Sequence, residues 1–111
     1  MNINPNYFTS ADNKQIAYYH IESDRDKHNS ILLLHCGGGY IDEKYISLAN
    51  KLNDLNMTCY LMDLRGHGLS EGDRGDVPEK ILLYDDLKTM LKIIKNNSPQ
   101  SKIFLDRKSV V

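Results

Sequence analysis

The sequence has few cysteines, no long apolar run and no excess of charge of either sign. Each lack closes a class. Cys36 and Cys59 are the two cysteines in 111 residues, too few for a disulfide framework and without the spacing of a metal site. The longest apolar run, Ile31-Leu32-Leu33-Leu34, falls far short of the about 20 residues a spanning helix needs. Lys plus Arg number 14 and Asp plus Glu 15, so no electrostatic signal points to nucleic acid or an anionic membrane. Met1-Asn2-Ile3-Asn4-Pro5 shows neither the basic nor the apolar segment of a secretory leader. Internal repeats and low-complexity stretches are missing too. The expectation is a cytoplasmic chain.

Length sets the next bound. A chain of 111 residues is at most one domain. It can bury about two thirds of the surface its unfolded form exposes. A complete α/β fold commonly needs about 200–250 residues.

Tyr7–Ser10 and Ile16–Ile21 are β-rich segments flanking the turn-prone Asp12-Asn13, which predicts a hairpin over 7–22. The polar residues after Glu22, up to 30, predict a solvated loop. Ile31–His35 reads as a strand buried on both faces. From Ile41 the period turns helical through Tyr45, Leu48, Ala49, Leu52 and Leu55, with Asp42 and Glu43 in the first turn. Met57–Met62 is a second buried strand, followed by a Gly-rich loop over 63–75. A second helix is expected to start near Pro78, with Leu83, Leu87, Met90, Leu91 and Ile94 as its stripe, and to stop at Asn96-Asn97-Ser98-Pro99. Lys102–Leu105 opens a third buried strand. A hairpin followed by β-α-β-α-β implies an α/β fold with a parallel sheet and right-handed crossovers.

Ligands of open parallel sheets bind beyond the carboxyl ends of the strands. Three stretches lie there: 35–40, 63–75 and 106–111. Leu34-His35-Cys36-Gly37-Gly38-Gly39 and Asp63-Leu64-Arg65-Gly66-His67-Gly68-Leu69-Ser70-Glu71-Gly72 together resemble the first half of an α/β-hydrolase. The branch they resemble includes lysophospholipases, monoacylglycerol lipases and serine aminopeptidases. The resemblance runs from the hairpin to Leu105. It implies the N-terminal half of an α/β-hydrolase sheet, with residues 1–111 a partial domain truncated at the nucleophile elbow.

It also implies roles for single residues. Gly37 would offer a backbone N–H to the oxyanion of an acyl intermediate, in a loop whose glycines let the backbone approach substrate. Cys36 stands where the family has glycine. His35, Arg65 and His67 would brace loops rather than react. Asp63 comes too early to be the triad acid, which follows the serine in this family. Ser109 falls at the nucleophile position and Val110 would give the second oxyanion N–H. The elbow pattern Gly-x-Ser-x-Gly keeps bulk away from a strained strand-to-helix turn. Here it reads Arg107-Lys108-Ser109-Val110-Val111, with neither glycine. The parent enzyme would hydrolyse an ester or amide of a small or lipid-like acyl substrate with no cofactor and no metal. Its triad Asp and His do not follow Ser109 in this sequence, so the chain alone is expected to be inactive.

Two other readings compete. A non-enzymatic fragment would expose its last strand as an apolar edge, to pair with a separately encoded C-terminal half or with a copy of itself. A nucleotide-binding βαβ unit would use Gly37-Gly38-Gly39 at a helix N-terminus and Asp63 on a ribose. Against the latter, Asp42 occupies the place of the third glycine and would repel a pyrophosphate.

Overall fold

A computed structural model of the chain describes residues 3–23, 29–35, 39–72 and 80–107. The hairpin consists of β1 (Asn6–Thr9) and β2 (Gln15–Ile21), paired antiparallel with Phe8 opposite Ile16. Its turn is held by local hydrogen bonds: Ser10 Oγ donates to Asp12 Oδ1 at 2.6 Å and accepts from the Lys14 N–H at 2.9 Å. Asn13 takes φ 65°, a left-handed conformation that asparagine tolerates better than most residues.

The remaining strands are β3 (Asn29–Leu34), β4 (Thr58–Met62) and β5 (Lys102–Arg107), and the helices are α1 (Glu43–Asp54) and α2 (Lys80–Asn97). Sheet order is β1-β2-β4-β3-β5. Strand β3 runs parallel to both β4 and β5, while β2 meets β4 antiparallel. From β3 the chain crosses by α1 to β4 on one side, then returns by α2 to β5 on the other. Two crossovers of one hand and opposite direction must place their helices on opposite faces of the sheet.

The burial pattern shows this. Ile31, Leu33, Cys59 and Leu61 pack with Ile46 and Ala49 of α1, whereas Leu32, Leu34, Tyr60 and Met62 pack with Met90 and Ile94 of α2. Successive side chains of β3 and β4 thus enter different cores, which is why these strands read as unbroken apolar runs.

Several boundaries differ from expectation. Helix α1 begins at Glu43, and Asp42 lies outside it as the N-cap, with its carboxylate accepting from the N–H groups of Lys44 and Tyr45. Ile41 also precedes the helix yet is buried against it. Its amide is held by a loop instead of a helical turn. Ser23 and Ser30 are buried rather than solvated: the Ser23 N–H donates to Thr58 Oγ1 at 3.1 Å, and the Ser30 and Ser101 hydroxyls pair at 2.8 Å. A buried hydroxyl needs such a partner. β5 extends to Arg107 and lies at the sheet's edge. Pro78 lies outside the described residues.

Candidate functional site

The carboxyl ends of β3, β4 and β5 meet along one rim of the sheet. In the β3–β5 ladder Leu34 pairs with Arg107, so the segments beginning at 35 and 108 follow, in sequence, the paired ends of neighbouring strands. The chain reverses its direction across the sheet at β3, and such switch points are where open α/β sheets bind ligands. Gly37, Ser109 and Val110 belong to those segments and lie outside the described residues, as do Cys36, Gly38 and Lys108.

The third segment, 63–72, is fully described and tightly knitted. The Asp63 carboxylate is buried and ties two loops together. Its Oδ1 accepts from the Ile41 N–H at 2.7 Å and its Oδ2 from the Leu69 N–H at 3.1 Å. Ser70 Oγ donates to the Asp63 carbonyl at 2.6 Å and accepts from the Ala17 N–H at 2.8 Å, which joins the loop to β2. The Glu71 N–H donates to the Gln15 carbonyl at 2.8 Å and extends that contact. Gly68 has φ 54°, and a Cβ there would stand 2.4 Å from Asp63 Oδ2. Glycine is therefore required twice at this point, for conformation and for space.

The predicted braces fall in or beside this loop. His35, fully buried, accepts the Leu64 N–H on Nε2 at 2.9 Å. In that contact the ring is neutral, with its proton on Nδ1. His67 lies 5.2 Å from His35 between ring centroids, and its Nδ1 is 3.0 Å from the Arg65 carbonyl. A carbonyl only accepts, so Nδ1 donates there.

Arg65 bridges two carboxylates. Its Nε and Nη2 form a fork on Asp86 at 2.7 and 2.9 Å, and its Nη1 and Nη2 reach Asp12 at 2.8 and 3.0 Å. The fixed fork of a guanidinium suits such paired contacts. One side chain thereby links the loop, the hairpin turn and α2. Hydrogen bonds from Arg65, then from Ser10, hold the Asp12 carboxyl well below the usual carboxylate range. The two carboxylates push the guanidinium pKa up in turn.

These contacts bear on the nucleotide reading. Both Asp63 oxygens are occupied by backbone donors, and the first amides of α1 are capped by Asp42. A ribose and a pyrophosphate would each meet a position already filled. Among the described residues no group of three His, Cys, Asp or Glu side chains is placed to hold a metal, and no helix is long and apolar enough to cross a membrane.

Sequence reasoning missed three participants. The sequence reading takes Asp12 only as a turn residue and Asp63 as a rejected triad acid or, in the nucleotide alternative, a ribose ligand, and it gives Ser70 no role. A small hydroxyl or acid beside glycines was the available signal, since freed backbone amides need acceptors.

Residues 25–110, most of the chain, match the family described as serine aminopeptidase, S33. The chain belongs to that family of α/β-hydrolases. No curated protein matches it significantly. Solved structures with the same fold include a soluble variant of monoglyceride lipase from Saccharomyces cerevisiae (TM-score 0.81, 18% identity), covering 98% of this chain and 36% of that one. A thermostable carboxyl esterase from Bacillus coagulans gives 0.79 and 21%, covering 95% and 36%. An esterase of Pyrococcus furiosus gives 0.73 and 24%, covering 96% and 41%. At these identities the likeness is one of fold. The S33-like chain spans 36–41% of the length of these three structures and has the strand arrangement of the N-terminal half of their sheet.

Proposed function

We propose that residues 1–111 form the N-terminal part of a serine hydrolase domain that cleaves esters or amides of small or lipid-like acyl groups. The observation that carries this reading is the pairing of Leu34 with Arg107 in adjacent parallel strands. It starts the glycine segment and the serine segment from neighbouring points on one rim. Acyl transfer needs that proximity: Ser109 Oγ attacks the carbonyl carbon, and the backbone N–H groups of Gly37 and Val110 receive the oxyanion. The serine proton then passes to a histidine base oriented by a carboxylate.

That base and carboxylate come from outside these residues. His35 is buried with Nε2 engaged by Leu64, and His67 directs Nδ1 at a backbone carbonyl, where a triad histidine would address a carboxylate. Arg107 and Val111 add bulk where an elbow carries glycine. The 111 residues alone therefore do not turn over substrate.

The test is fluorophosphonate labelling and p-nitrophenyl ester hydrolysis, with Ser109→Ala as the control. The 111-residue chain is expected to match that control in both. Coding DNA read through and beyond codon 111 in all three frames is expected to reveal a later Asp and His and a Gly-x-Ser-x-Gly whose serine takes the place of Ser109. Protein expressed with that continuation is expected to label and to hydrolyse ester. Labelling of Ser109 in the short chain would overturn its inactivity; a silent extended protein would overturn the hydrolase reading.

A further inference from the structure

Leu64 lies just past β4 and Ile41 just before the N-cap of α1, so neither belongs to a helix or strand. Both residues are buried, and their N–H groups need acceptors from elsewhere. Side chains supply them, each from the other's segment. His35 Nε2 accepts from Leu64 at 2.9 Å, and Asp63 Oδ1 accepts from Ile41 at 2.7 Å. Each segment thus gives the other one amide and receives one in return. His35 and Ile41 are the two ends of a short stretch, 36–40, that includes Gly37. His35, Ile41 and Asp63 are at most 1% exposed, so both bonds form where water competes little.

We propose that Asp63 and His35 are positioning residues, a reciprocal clamp that fixes both ends of the stretch carrying Gly37 for its part at the oxyanion. The assignment deepens the hydrolase reading and rests on it. An oxyanion donor acts through placement, because it must already lie where charge develops in the transition state. Holding both ends of a short stretch removes conformational freedom that would blur that placement. A carboxylate suits position 63 because it has two acceptor oxygens. While Oδ1 holds Ile41, Oδ2 takes the Leu69 N–H at 3.1 Å, which anchors the clamp to the far side of the 63–72 loop. Gly68 approaches that carboxylate more closely than any Cβ would permit, and so walls it on one side. Neither clamp residue touches substrate in this role. Each acts through a backbone amide of the other segment.

Exchange of single amides, followed by NMR in the 111-residue chain, reads the clamp itself. His35→Phe keeps a ring and loses the acceptor. It is expected to speed exchange at Leu64, and at Ile41 with it, by about tenfold relative to Tyr60. His35→Gln, whose amide oxygen can take the place of Nε2 as acceptor, is expected to restore both. In protein expressed with its continuation, His35→Phe and Asp63→Ala are expected to lower kcat on a p-nitrophenyl ester about 100-fold with KM nearly unchanged. His35→Gln is expected to recover most of that loss. Thr58→Val removes the acceptor of the Ser23 N–H at the other end of β4, and is expected to lower stability while kcat holds. Far-UV circular dichroism checks that every variant is folded, and the His35 pair carries the test should Asp63→Ala not fold. Faster exchange at Leu64 alone would overturn the clamp. So would an active parent whose His35→Phe variant lost no more kcat than Thr58→Val. A silent extended parent would overturn the hydrolase reading, and this assignment with it.

Discussion

Arg65 pairs with a carboxylate, Asp86, that is only 1% exposed. A carboxylate that buried is tolerated because the guanidinium forks onto it. Removing one partner of a buried pair costs about 3–5 kcal/mol, while replacing both with apolar groups is often nearly neutral. Arg65→Met is therefore expected to destabilise the chain by about 3–5 kcal/mol in urea titration, and Arg65→Met with Asp86→Leu to recover most of that loss. If the double variant were as unstable as the single, an unpaired Asp86 would not be the cause.

Asp12, at the other side of Arg65, supplies the pH dependence. Its folded pKa lies below its unfolded one. The contribution is therefore complete above the unfolded value of about 3.9 and declines as pH falls through the folded one. The stability gap between the parent and Asp12→Asn is expected to be constant near neutrality and to shrink below about pH 4. A gap that shrank instead toward alkaline pH would contradict the assignment. His20 has the opposite character. It stacks on Tyr60 at 4.4 Å with Nε2 buried and unpartnered among the described residues, and burial pushes its pKa down, favouring the neutral ring.

At the scale of elements, helix α1 shows what holds a boundary in place. Asp42 is extended, with φ −122° and ψ −170°, and its carboxylate accepts from the first helical amides. Asp42→Ala is expected to cost about 1 kcal/mol by thermal or urea unfolding, and Asp42→Ser much less. Equal losses would mean that charge rather than capping matters at that end.

The same helix marks a limit of sequence reading. Periodicity alone includes Ile41, because Ile41 is buried on the helical side. Yet its amide belongs to Asp63, which lies 22 residues away in sequence. The double-sided strands were legible because each of their residues enters one core or the other. The sheet order β1-β2-β4-β3-β5 was not, since nothing local to β5 says that it pairs with β3 rather than β4. In the loops, Arg65 could be singled out by resemblance, but its partners Asp12 and Asp86 come together only through the fold.

For the molecule as a whole, the sheet's order implies a gradient of protection. β3 and β4 are flanked by strands on both sides and covered by a helix on each face, whereas among the described residues β1 has a single neighbouring strand, β2. Amides of Ile31–Leu34 and Cys59–Met62 can exchange only when the whole sheet opens, while edge amides exchange through local opening. Hydrogen-exchange mass spectrometry is expected to find the β3 and β4 peptides slowest, with rates that track global stability. Peptides of β1 are expected to exchange faster and to depend less on global stability, because their amides open with the hairpin alone. A β1 that exchanged as slowly as β3 and β4 would show instead that the hairpin opens only with the whole sheet.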